Sequence, residues 1–188
     1  NGQEYAFTAG KGVSFVSLET NEHIKKDCDK KILHCAFNSD KKRVIWGEFD
    51  KEKWLHTIKI YDIENEKEIF SKPTIMMRDS TVKQSELWRK DPQPIRNCFF
   101  NPLDKETIFV LLEGELIKYN YKREKLIKAV KINCLDRAIA LHPNQASLCC
   151  VESQGLYLYD TNDVSPLSKV GLNYLELCEY NHDGSIIA

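Results

Sequence analysis

What this chain lacks narrows what it can be. It has no excess of either charge: 27 basic and 28 acidic residues leave a formal net charge of −1. No global field therefore steers it toward nucleic acid or an anionic membrane. It has no long apolar run. The longest purely aliphatic or aromatic stretch is Ile108 to Leu112, far short of the roughly 20 residues that span a bilayer. The N-terminus lacks a basic segment followed by an apolar one, so no signal peptide is expected in it. No GxSxG, Walker A or GxGxxG sequence occurs, which removes the usual motif signals for nucleophilic and phosphate-cradling chemistry. There is no CxxC and no Asn-x-Ser/Thr sequon among the 188 residues. The cysteines number seven, an odd count, and most sit in apolar strand-like runs. They read as reduced core thiols of an intracellular protein rather than as a disulfide framework.

What the chain does have is a repeated phrase. In Leu141 to Asp160 an apolar strand ends in the turn His142-Pro143-Asn144. A second run, Leu148 to Val151, follows, and a glycine turn at Gly155 leads into Leu156-Tyr157-Leu158-Tyr159-Asp160. Phe100-Asn101-Pro102 precedes Ile108 to Leu112 and Leu116 to Asn120 in the same way. So does Phe37-Asn38-Ser39-Asp40 before Val44-Ile45-Trp46 and Thr57 to Asp62. The residue after each strand end is Asn38, Asn101, His142 and Asn181, at intervals of 63, 41 and 39. The closing Tyr-Asp or Tyr-Asn pair recurs at Asp62, Asn120 and Asp160, at intervals of 58 and 40. Removing the 23 residues of 71–93 reduces the long interval of 63 to 40. A unit of about 40–45 residues with four short strands is the signature of a propeller blade.

The expected fold is all-β: a β-propeller segment of about four to five four-stranded blades spanning 1–188. The blades fall at 1–30, 31–70, 94–130, 131–170 and 171–188, with an insertion at 71–93. In 1–30 two strands are expected, Tyr5 to Thr8 and Val13 to Leu18, with Lys25 to Lys31 charged and solvated; Glu48 to Leu55 reads as a charged loop. Within the insertion, Asp79 or Ser80 could cap a short helix through Arg89. Because the first and last blades are incomplete, the chain is expected to be part of a longer protein.

These phrases resemble WD40-repeat propellers. Tyr61-Asp62, Tyr119-Asn120 and Tyr159-Asp160 stand where that family has Trp-Asp. The turns at 37–40, 100–102, 141–144 and 180–184 stand where it has phrases like F-S-P-D-G. No blade carries the family's Gly-His pair and no Trp-Asp is intact, so its structural hydrogen-bond tetrad is incomplete here. Within the group, the texture is similar to the large cilia- and flagella-associated WD-repeat proteins. That resemblance implies a structural role in an axonemal or other cytoskeletal assembly, with microtubule-associated proteins as partners.

Site chemistry offers little else. His142 and His182 occupy corresponding turns, which repeat equivalence explains better than metal ligation. Cys149 and Cys150 point to opposite faces of a strand, so they cannot jointly hold one ion. Glu64, Glu66 and Glu68 read as a solvated edge. Acidic neighbours interrupt Lys25-Lys26, Lys30-Lys31 and Lys41-Lys42-Arg43, so nucleic acid is not the expected partner. No catalytic residue, cofactor or metal is expected. The contact residues expected are Met76, Met77, Arg78, Trp88 and Arg89, because exposed Met and Trp on an insertion make good anchors. Trp46 and Trp54 read as core or loop cover. The function expected is a non-enzymatic scaffold for protein–protein interactions. The alternatives are a propeller adaptor in an RNA or translation complex and, with less to support it, a propeller hydrolase.

Overall fold

The structure is a computed structural model. It describes residues 4–8, 12–17, 23–27, 30–78, 94–132, 134–143, 146–152, 155–171, 178–181, 183–185 and 187. Fifteen strands and one short helix are described among them. The strands are β1 (Glu4–Thr8), β2 (Gly12–Ser17), β3 (His23–Asp27), β4 (Lys31–Phe37), β5 (Arg43–Asp50), β6 (Leu55–Asp62) and β7 (Lys67–Pro73). After the helix α1 (Thr74–Arg78) come β8 (Ile95–Phe100), β9 (Thr107–Leu112), β10 (Glu115–Asn120) and β11 (Lys125–Lys131). The last four are β12 (Cys134–Leu141), β13 (Ser147–Glu152), β14 (Gly155–Asp160) and β15 (Pro166–Val170). They form one three-stranded sheet, β1-β2-β3, and three four-stranded sheets ordered β4-β5-β6-β7, β11-β10-β9-β8 and β12-β13-β14-β15. Every described pairing is antiparallel between sequence neighbours. The all-β architecture of four-stranded units read from the sequence is therefore present.

The repeat is one of local physics as well as of spelling. Asn38, Asn101 and His142 each donate their backbone N–H across the first hairpin, to Arg43, Thr107 and Ser147 (3.0, 3.0 and 2.9 Å). All three side chains are buried. The Tyr-Asx pair works at the other end of the unit. Tyr61, Tyr119 and Tyr159 turn into the core. The neighbouring Asx points the other way, as alternation along a strand requires. Its side-chain oxygen caps the next turn: Asp62 accepts from Asn65 N–H (3.0 Å), Asn120 from Arg123 (2.8 Å) and Asp160 from Asn162 (2.5 Å). Four residues after each Asx the backbone is left-handed, at Glu66 (φ 50°), Glu124 (φ 50°) and Val164 (φ 56°). A register shift falls just before each tyrosine, at Ile60/Tyr61, Lys118/Tyr119 and Leu158/Tyr159. Positive φ costs an L-residue about 1–2 kcal/mol. Because Glu66 is exposed, Glu66→Gly is expected to raise stability by about 0.5–1 kcal/mol net of chain entropy. The check is a higher urea midpoint at unchanged slope.

The chain divides into two compact units, Asn1–Phe100 and Asn101–Ala188. In the first, β4 packs beside both β1 and β8. Val13, Ile32, Val44, Trp46 and Tyr61 form a core cluster there, with Cys35, Phe37 and Ile63 against it. Gly47 is packed closely: a Cβ there would come 3.0 Å from the Ile95 side chain. In the second unit all six residues of β9 are buried. A further cluster joins Cys149, Val151, Leu156 and Cys178. Lys118 is buried as well, and its Nζ donates to the Asn162 carbonyl (2.8 Å). Desolvation holds its pKa below the usual lysine value, against the opposing pull of Asp104, Asp160 and Asp163.

Several sequence expectations need correction. A third strand, β3, runs through Lys25 to Asp27 and β4 starts at Lys31, so 1–30 holds three strands rather than the two expected. The loop expected at Glu48 to Leu55 shrinks to 51–54, because β5 continues to Asp50 and buries Glu48. The insertion begins as strand, since β7 extends through Pro73. The helix found is Thr74–Arg78; the one expected from Asp79 to Arg89 lies outside the described residues. In 171–188 the described residues show one isolated bridge, Tyr180 to Ile187.

Candidate functional site

Two polar clusters have the residue types of catalysis, and in each the polar atoms are bonded within one sheet. In the first unit the Glu48 carboxylate, 1% exposed, accepts from Trp46 Nε1 (2.9 Å) and faces Lys59 Nζ (3.5 Å). Lys59 also pairs with Glu68 (2.9 Å). Burial alone would lower the Lys59 pKa, but Glu68 and Glu48 together raise it. In the second unit Glu152 accepts from Tyr159 Oη (2.6 Å). Glu48 lies opposite Thr57 and Glu152 opposite Gly155, each four places along its strand from the partner of the tyrosine. The same position thus carries a glutamate in two sheets. Position in a repeat explains both glutamates, as tie points inside a sheet.

The cysteines also pack. Those described are unbridged, and Cys98, Cys149, Cys150 and Cys178 are buried. Burial raises the Cys35 and Cys98 thiols. Among the described residues no group of three or more His, Cys, Asp or Glu could hold a metal. His142 is buried and packs edge-on against Tyr180 (4.9 Å), so it serves the turn.

The surface feature that stands out lies at one end of β5 and β6. Asp50 Oδ1 accepts from the N–H groups of Glu52 and Lys53 (3.1 Å each), which tightens the turn 51–54. Burial would raise the Asp50 carboxyl, but the Lys53 N–H and Lys30 (3.5 Å away) hold it below the usual carboxylate range. The turn closes on Trp54 in the left-handed region, φ 48°. That geometry leaves the indole 68% exposed. Trp54 is nevertheless supported: it meets Phe49 edge-on (5.8 Å), and Phe49 stacks on buried His56 (4.6 Å). Burial, with Arg96 nearby, lowers the His56 pKa below 6.5. A histidine held neutral in the folded state contributes stability above its unfolded pKa and loses it as pH falls through the folded one. Stability is therefore expected to decline below pH 6.5, and His56→Phe should flatten that decline in urea titrations repeated across pH.

The described members of the sequence-predicted contact set, Met76, Met77 and Arg78, fall at the same end of this sheet. Pro73, the last residue of β7, pairs with Thr57, and the Thr74 hydroxyl donates to the His56 carbonyl (3.4 Å). This ties α1 against β6 and β7. Met77 is buried at 2% exposure, so it is a packing residue rather than the exposed anchor expected. Met76 is half-buried and Arg78 exposed. Trp88 and Arg89 lie outside the described residues. Trp46 is core, as expected, but Trp54 does not cover the loop. The signal for it was present: one indole closing a run of four charged residues, Asp50 to Lys53.

No described helix is long and apolar enough to cross a membrane. No family model matches the chain. No curated protein matches it significantly. Solved structures do: 702 chains match in fold, so the likeness singles out no activity. One is hydrazine synthase of Kuenenia stuttgartiensis, at a TM-score of 0.66 and 13% identity. The match covers 94% of this chain and 48% of that one, so this chain spans about half the length of that protein. At this identity the likeness is one of fold.

Proposed function

We propose that the chain is part of a WD40-like β-propeller that acts as a non-enzymatic scaffold, docking a partner protein through the Trp54 end of β5 and β6. Successive antiparallel four-stranded sheets, the neighbouring first strands β4 and β8, and a likeness to a propeller-containing protein support the propeller. The observation that carries the docking reading is the supported yet exposed Trp54. A tryptophan at a surface is a common energetic anchor of interfaces, and here Phe49 and His56 hold it in place before any partner arrives. Met76 and Arg78, of the predicted contact set, lie in α1 at the same end of the sheet. The assembly we propose is a large cytoskeletal one, axonemal by resemblance.

Trp54→Ala is the test. The side chain is exposed, so stability is expected to shift by no more than about 0.5 kcal/mol. Recovery of the native partner from cells carrying the tagged full-length protein is expected to fall at least tenfold. Undiminished recovery would refute docking at this surface. The corresponding Trp88→Ala change asks whether 79–93 adds to the same contact.

A further inference from the structure

The stack that supports Trp54 ends on a titratable ring. Phe49 and His56 are direct partners across β5 and β6, and their rings lie 4.6 Å apart at an interplanar angle of 24°. Trp54 meets the same Phe49 edge-on. The His56 side chain is buried, and its Nδ1 has no hydrogen-bond partner among the described residues. Burial and the Arg96 guanidinium of β8 both favour its neutral form. Alternation puts Glu48, Asp50 and Lys59 on the other face of the sheet. On the His56 face, strand pairing places Lys31 opposite Phe49, His34 opposite Gly47 and Lys72 opposite Ile58, and α1 carries Arg78. His34, Lys72, Arg78 and Arg96 have partners of their own. A second proton on the imidazole would put a charge, and a donor without an acceptor, into a buried site beside a guanidinium. The Phe49 face attracts a cation, but by less than burying an unpaired charge costs.

Resting on the docking reading above, we infer that His56 is a positioning residue that makes docking at Trp54 proton-dependent. Neutral His56 keeps the Phe49–Trp54 stack assembled. Protonated His56 leaves the stack, which releases the indole and weakens the hold on the partner. The stacked form binds fewer protons than the opened one, so acid shifts the population toward the opened form. The coupling is reciprocal: a partner seated on Trp54 holds His56 neutral to lower pH. The turn itself does not share this dependence. Asp50 fastens it through the N–H groups of Glu52 and Lys53, and that carboxyl titrates below 3.8, so the turn stays closed through mild acid. The switch therefore lies in the ring stack and not in the backbone beneath it.

The test has two readouts. The first is fluorine NMR of the full-length protein labelled with 5-fluorotryptophan, with the Trp54 signal assigned through Trp54→Phe. From about pH 7.5 down to about pH 5, where histidines titrate, that signal is expected to shift in the parent and to stay fixed in His56→Phe. The second is the native complex held on the tagged full-length protein and washed at the two ends of that range. The fraction of partner retained in acid, relative to neutral pH, is expected to be at least fivefold smaller for the parent than for His56→Phe. Partner groups that titrate on their own affect both proteins alike. Circular dichroism at both pH values verifies folding, and His56→Leu, equally uncharged, replaces His56→Phe if that variant does not fold. A Trp54 signal that ignores pH in the parent, one that titrates alike in His56→Phe, or an equal retention ratio overturns the inference. If Trp54→Ala still loses the partner at neutral pH alongside such a result, the docking surface stands and its proton control does not. If Trp54→Ala keeps the partner, docking at this surface is refuted and the inference with it.

Discussion

Replacing Gly184 by alanine is expected to cost about 1–2 kcal/mol for the left-handed backbone and about 1–3 kcal/mol for overpacking. Gly184 sits at φ 80°, and its N–H donates to the Asn181 carbonyl (3.0 Å). A Cβ there would lie 2.2 Å from His142 Nε2 and 2.3 Å from Cε1. His142 cannot yield readily. Its ring is buried against Tyr180, and its backbone N–H is bound to the Ser147 carbonyl. The two penalties therefore add at one place, where the turn after Tyr180 meets the turn after Leu141. Gly171→Ala supplies the control, because nothing lies within 4 Å of a Cβ there. Urea unfolding of the two variants measures the difference. If Gly184→Ala matched Gly171→Ala, the packing of His142 against this turn would be wrong.

Glu48→Ala is expected to destabilise the chain by about 2–4 kcal/mol. The substitution strips Trp46 Nε1 of its acceptor in a site 2% exposed and removes one of two carboxylates beside Lys59. Lys59 retains Glu68 and some solvent, which keeps the loss below that of a fully orphaned buried charge. Glu48→Gln preserves an acceptor for the indole and should cost less. The sign of the pH dependence follows from Lys59, whose pKa is raised above 10.5. Its share of stability is complete below the unfolded pKa and is lost as pH rises through the folded one. The deficit of Glu48→Ala should therefore be nearly constant at neutral pH and shrink only in strong alkali. Urea denaturation repeated across pH measures both.

The repeat was legible because each landmark has its own mechanism. Asn38 and Asn101 recur because their side-chain oxygens accept N–H groups of the turn, from Arg43 and Leu103, and the Tyr-Asx pairs recur because a buried ring and a turn-capping oxygen must be neighbours. Such needs leave fixed letters at fixed spacing. Strand ends were less legible where charge misled. Glu48 and Asp50 looked solvated, yet Trp46, Lys59 and Lys30 supply the partners that let β5 continue. Lys59 and Lys30 come from outside β5, beyond the reach of local pattern. The contact set was read in part. The exposure of Arg78 could be expected, but the helix was looked for after Asp79 and not at Thr74–Arg78, and the burial of Met77 depends on how those five residues settle on β6 and β7. Trp54 was misread for a related reason. A tryptophan between strands is usually drawn under cover, and only the left-handed turn pinned by Asp50 sends this one outward.

Cross-linking the native complex with a reagent that joins lysine amines to carboxylates tests the central claim most directly. Lys51, Lys53 and Lys72 at the Trp54 end are expected to link to Asp or Glu of the partner, and Trp54→Ala should abolish those links. Lys125, Lys128 and Lys131 on β11 form an equally lysine-rich internal control. Partner links concentrated on β11, with none from the turn 51–54, would contradict docking at this surface.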